Sequence, residues 1–137
     1  LKDISVFRDG TPFQANLNHA LNIQRSSFLN AKEVDGLRIS GIGPDGVYRD
    51  PWGNPYIITI DLNYDEKCRD GFYRNDAVSR DPKSGIGFNG HFNETRQANS
   101  WENRTEVMVW SLGPDGIANA QQSANFGANK DNVLSWK

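Results

Sequence analysis

The chain has one cysteine, one methionine and two histidines among its 137 residues, and each scarcity removes a class of chemistry. Cys68 has no second cysteine, so no internal disulfide forms and no thiol-rich metal site can be assembled. His19 and His91 stand on different segments, no serine occupies a Gly-x-Ser-x-Gly elbow, and Cys68 has no recognisable histidine partner in sequence. Catalysis wants a nucleophile, a base and an orienting group together, so a non-enzymatic role is expected. Positive charge is not in excess either. Fifteen Lys and Arg against seventeen Asp and Glu leave a net charge of −2, with both signs interspersed. That offers no basic field for a phosphate backbone, and nucleic acid is not an expected partner. No apolar run approaches the roughly twenty residues that cross a bilayer, and no signal-peptide pattern opens the sequence. A chain that starts at Leu1 with its one methionine at Met108 is nevertheless expected to have lost a front segment, and with it any membrane anchor.

What is present suits a single domain over residues 1–137 with a modest core. Leu17, Ala20 and Leu21 fall at helical spacing, which predicts a short amphipathic helix over residues 14–25 with Pro12 near its start, and Phe28 and Leu29 are expected in the core. Turn signals then crowd together at Gly43-Pro-Asp-Gly46 and Asp50-Pro-Trp-Gly-Asn-Pro55. Tyr56 to Tyr64 is β-branched, aromatic and partly alternating, and predicts a strand that turns through Asp65–Asp70 into a second strand near Gly71–Val78. Residues 79–104 are rich in Gly, Asn, Ser and charge and read as a long insertion, which in small domains is functional or mobile. Val107–Ser111 predicts a third strand and Asn132–Trp136 a fourth. The sum is an α+β arrangement, an N-terminal helix on a small antiparallel sheet.

The most informative stretch is the last. Val107-Met-Val-Trp-Ser-Leu-Gly-Pro-Asp-Gly116 delivers Asp115 into a tight turn, and the chain returns through Asn129-Lys-Asp-Asn132 before a hydrophobic end. Calcium takes about six to eight oxygens from carboxylates, amides and backbone carbonyls, and a loop rich in Asp, Asn and Gly can supply them. Read alone, both segments are equally a turn and a solvated loop.

Taken in order, Asp50-Pro-Trp-Gly-Asn-Pro-Tyr56 leading into a strand, Val109-Trp-Ser-Leu-Gly-Pro-Asp-Gly116, and the closing Asp131-Asn-Val-Leu-Ser-Trp136 resemble the soluble domain of the G-type major pseudopilins of bacterial type II secretion. The resemblance covers residues 41–64 and 105–136 and leaves out the middle. It implies a pilin-like fold in the periplasm, held to the inner membrane by a hydrophobic N-terminal helix absent from this chain. The implied partners are other pseudopilin subunits and the inner-membrane components of the secretion machinery. It also implies a calcium ion in the C-terminal loop, with Asp115 and Asp131 as side-chain ligands, Leu112 and Ile117 as carbonyl donors, Asn132 where the family often has a second aspartate, and Asn129 assisting. The loop 118–130 is Asn- and Gln-rich where the family is acidic or glycine-rich, which predicts weaker binding. The insertion over 65–104 is longer than the family's usual connection.

Other constellations compete. Asp61-Leu-Asn-Tyr-Asp65 opens like an EF-hand loop, but Glu66 replaces the turn glycine and Phe72 stands at the twelfth position, so a charged turn is expected. Gly43-Pro-Asp-Gly46 repeats the tetrapeptide of residues 113–116 with diverging flanks, so Asp45 is expected to share the turn role without being a ligand. Among the tryptophans, Trp52, Trp110 and Trp136 lie beside predicted strands and are expected to anchor the core, leaving Trp101 as the candidate for exposure. The alternative function is therefore a secreted or surface module that holds a glycan or protein through residues 79–104 and Trp101.

Overall fold

A computed structural model describes residues 3–27 and 29–137. The chain divides into two compact units, Leu1–Pro55 and Tyr56–Lys137. It is a small mixed protein with little helix and two antiparallel sheets.

In the N-terminal unit, β1 (Gly41–Ile42) pairs antiparallel with β2 (Tyr48–Arg49) around the Gly43-Pro-Asp-Gly46 turn. The predicted amphipathic helix over 14–25 does not form. Gln14–His19 makes irregular 3₁₀ turns in which Leu17 is extended and Asn18 and His19 have φ of 54° and 61°. Asparagine side chains bond the backbone in place of helical partners. Asn16 Nδ2 donates to the Ile4 carbonyl and to Asp3 Oδ1, both at 2.9 Å, and Asn16 Oδ1 accepts from the Leu21 amide. Asn22 bonds Ser26 through both ends of its amide. The burial is inverted as a result: Asn16 is 5% exposed while Leu21 is 76% exposed. Leu29 is partly buried, and Phe28 lies outside the described residues.

The C-terminal unit is built on a three-stranded sheet in the order β3 (Ile57–Ile60), β4 (Val107–Ser111), β5 (Val133–Leu134). The strands predicted near 57, 107 and 133 are present, but the pairing differs from a local hairpin. β3 takes β4 as its partner, with Ile57 opposite Trp110 and Ile60 opposite Val107. Residues 71–78 are not a strand because Asp70 winds them into turns. Its Oδ1 accepts from the amides of Phe72 and Tyr73 at 2.9 Å, its backbone carbonyl accepts from Arg74, and the single helical turn α1 (Asp76–Ser79) follows. A carboxylate that gathers orphan amides favours helical over extended backbone. Asp61 acts similarly upstream, taking the amides of Asn63, Tyr64 and Glu66, so the EF-hand-like start is a turn.

Cys68, Tyr73, Val78, Met108, Trp110 and Ala124 form the core, with Ile57, Phe72, Leu134 and Trp136 packed against it. Tyr73 is its hub. Phe72, Trp110 and Trp136 meet the tyrosine ring near-perpendicularly at 5.1, 5.1 and 5.2 Å. That edge-to-face arrangement contributes about 0.5–1.5 kcal/mol per pair beyond burial. Burial pushes the Tyr73 hydroxyl up to about 12.

The segment 79–104 is ordered by short backbone bridges, Arg80 to Gly87 and Phe92 to Glu102, with Asn103 returning to Cys68. Two tryptophan expectations are reversed. Trp101 is buried, its Nε1 donating to Asp76 Oδ1 at 2.7 Å, and Trp52 is 48% exposed. Polar flanks made the insertion look like a surface loop, yet the indole is drawn in by a carboxylate that satisfies its N–H. His91 is also buried, and desolvation pulls its pKa below the ordinary 6.5.

Candidate functional site: the C-terminal loop

β4 ends at Ser111 and releases the chain into Leu112 and the Gly113-Pro-Asp-Gly116 turn. Gly113 has φ +66°, and a Cβ there would stand 2.1 Å from the Asp131 carbonyl oxygen. Only glycine lets the two ends of the loop approach this closely. Asp131 Oδ2 accepts from the Asp115 amide at 3.1 Å, and Asp115 Oδ1 accepts from the Ile117 amide at 2.8 Å. Two residues 16 apart in sequence therefore meet at one turn.

The two carboxylates share another property. Among the described residues neither Asp115 nor Asp131 forms an ion pair. The other occurrence of the tetrapeptide differs. At Gly43-Pro-Asp-Gly46, Asp45 Oδ1 also accepts an amide two residues on, from Val47 at 3.2 Å, but both its oxygens are gripped by Arg49, at 2.9 and 2.5 Å. That guanidinium holds the Asp45 carboxyl below its usual range and is itself raised by the pair.

The asparagines are committed elsewhere. Asn129 is 1% exposed and closes the loop as a buried amide clasp. Its Oδ1 accepts from the Asn119 amide at 2.8 Å, and its Nδ2 donates to the carbonyls of Asn119 at 2.8 Å and Gln122 at 2.7 Å. Gln122 adds a further tie, its Oε1 accepting from the Ala128 amide. Asn132 Nδ2 donates to the Tyr73 hydroxyl at 3.0 Å, which places its amide in the aromatic core, and its Oδ1 is buried without a partner among the described residues.

Calcium fits part of this donor set. Asp115 Oδ1 and Asp131 Oδ2 each accept one backbone amide at the turn, and Leu112 and Ile117 flank it on either side. Asn129 has spent its side chain on the loop backbone, and Asn132 is anchored to Tyr73. Among the described residues no group of three or more His, Cys, Asp and Glu side chains gathers, so an ion here would rest on two carboxylates, backbone carbonyls and water.

Comparison with protein-family models, with curated proteins and with solved structures finds no match. The chemistry of the loop therefore carries the functional reading by itself. Sequence reasoning missed the clasp partners Asn119 and Gln122. Their signal was the amide-rich composition of 118–130, which reads as depleted charge when it is in fact buried hydrogen bonding.

Proposed function

We propose that this chain is the periplasmic domain of a structural subunit, a pseudopilin-type building block of a type II secretion filament or a related pilus-like fibre. Its role is assembly with other such subunits and with the inner-membrane components of the machinery. A hydrophobic N-terminal helix would anchor it in the membrane. The observation that carries the reading is the meeting of Asp115 and Asp131 at one turn with no cation of the protein between them. When bound, calcium supplies the double positive charge that the two carboxylates lack, and the chain's own residues set the rest: Gly113 permits the approach, and the Asn129 clasp holds the loop that carries Asp131.

The sheet supports the same reading. Its outward residues Ile58, Ile60, Val107 and Val133 are 43–52% exposed, which gives an apolar face against which a helix can pack. No helix among the described residues is long and apolar enough to cross a membrane.

The test is thermal unfolding in calcium and in chelator. An ion that binds only the folded chain stabilises it by about 2.7 kcal/mol at a hundredfold over Kd. Asp115→Ala should remove most of that gain. Identical unfolding of the unsubstituted protein in calcium and chelator would end the calcium part. Failure of the chain, fused to an apolar N-terminal helix, to enter filaments with pseudopilins would end the assembly part.

A further inference from the structure

The C-terminal unit contains five arginines. Three are engaged. Arg69 pairs with Glu102, Arg74 Nε donates to the Asn99 carbonyl at 2.9 Å, and the Arg104 guanidinium lies 5.1 Å from the centre of the Phe92 ring. The neighbouring Lys67 is paired with Glu94. The side chains of Arg80 and Arg96 have no partner among the described residues, and both line the same cleft of about 500 Å³ in the insertion, with Asp76, Asn93, Gln97 and Trp101.

The cleft is shaped by its own bonds. Trp101 forms part of its wall, with Nε1 tied to Asp76 Oδ1, which leaves Asp76 Oδ2 as an acceptor. The turn over 93–97 is closed by Asn93 Nδ2 donating to the Gln97 carbonyl at 2.7 Å and by Thr95 Oγ1 donating to Asn93 Oδ1 at 3.2 Å. Arg96 sits at this turn with φ +57°, a left-handed conformation that an arginine adopts only at a cost. Two unpaired guanidiniums from separate segments match an anion that accepts from both, since forked N–H donors bind carboxylates in pairs. A carboxylate acceptor and a free amide beside them suit hydroxyl groups, and the volume lies within the range of small-ligand pockets, about 300–1,000 Å³.

We infer that this cleft binds an acidic saccharide, with Arg80 and Arg96 taking its carboxylate and Asp76 and Gln97 its hydroxyls. The site is independent of the C-terminal loop and of the filament reading. Trp101 contributes a buried wall, not an exposed stacking platform.

The probe is a trimer of galacturonic acid, compared with the neutral galactose trimer and with inorganic phosphate, by titration of amide chemical shifts. The acidic trimer should perturb residues 80, 85 and 93–98. Losing one charge-assisted pair weakens binding by about tenfold or more, so Arg80→Gln and Arg96→Gln should each do so, as should replacing the acidic trimer by the neutral one. Lys83→Gln, outside the cleft, should leave binding unchanged. Amide spectra of the two arginine variants check that they are folded. The inference is overturned if the acidic trimer perturbs no residue of the cleft, if the neutral trimer binds as well, or if folded Arg80→Gln and Arg96→Gln bind undiminished. Phosphate binding as tightly as the acidic trimer would overturn the saccharide assignment.

Discussion

Gly-Pro-Asp-Gly occurs twice in this chain, and the two copies end in different electrostatic states. In both, the aspartate accepts the amide two residues on, so the turn chemistry is the same. At residues 43–46 the carboxylate then meets Arg49, four residues along, and the charge is closed within the protein. At residues 113–116 the position four residues along is Asn119, and it is the Asp115 backbone amide that meets the Asp131 carboxylate. In one copy the carboxylate is paired within the protein, and in the other it forms no ion pair among the described residues. A turn motif thus specifies backbone geometry, while the residues that come to face it decide whether it binds anything.

The comparison breaks most sharply at the first glycine. Gly113→Ala places a Cβ against the Asp131 backbone at a positive φ, so a loss of roughly 3 kcal/mol or more is expected by denaturant unfolding. Gly43 has no positive φ, and a Cβ there meets only side-chain atoms of Arg49 and Asp45 and the Gly36 carbonyl, so Gly43→Ala should cost less. Equal losses would mean that the close approach at Gly113 is not what holds the loop. Next in size is the clasp. Asn129→Ala strands several buried backbone groups at about 1–3 kcal/mol for each left unsatisfied, and it should do so in chelator as well as in calcium, which separates the clasp from the ion.

A substitution can also make the second turn resemble the first. Asn119→Arg supplies a guanidinium where Arg49 stands relative to Asp45, and it should reduce the calcium-dependent shift in unfolding temperature. An undiminished shift would show that the two turns differ by more than their counter-charge. The smallest effect belongs to Asp45→Asn. Because the Asp45 side chain is 36% exposed, solvent screens the pair and about 1 kcal/mol or less is expected. The pair's pH dependence follows from the depressed carboxyl. The unfolded chain binds the proton first as pH falls, so this stability is present above the ordinary 3.8 and lost as pH drops through the lower folded value. Asp45→Asn should flatten that acid limb.

The three strands of the C-terminal unit were legible because Ile57–Ile60, Val107–Ser111 and Val133–Leu134 are β-branched or aromatic runs bounded by turn residues. Their pairing was not. Asp70 converts the segment that would have closed a hairpin into a capped turn, and β3 waits for a partner almost fifty residues on. The helix over 14–25 failed because spacing counted Leu17 and Leu21 but gave no weight to Asn16 and Asn22, whose side chains bond backbone groups in place of helical partners. At the candidate site, Asp115 and Asp131 were singled out by the resemblance, and the structure joins them by a backbone amide. The commitment of Asn129 and Asn132 to inward bonds was hidden, since an amide in sequence does not announce whether its oxygen faces a cation or a peptide N–H.

Trp136 lies one residue from the end of the described chain and packs on Tyr73, which also holds Asn132 through its hydroxyl. The tyrosine hub therefore takes one of its rings and its hydroxyl's donor from residues more than fifty positions downstream, and it cannot be completed until that segment is in place. A chain cut short of Asn132 would leave β4 without its β5 partner and Tyr73 without its hydroxyl's donor, so one truncation opens both the sheet edge and the aromatic core.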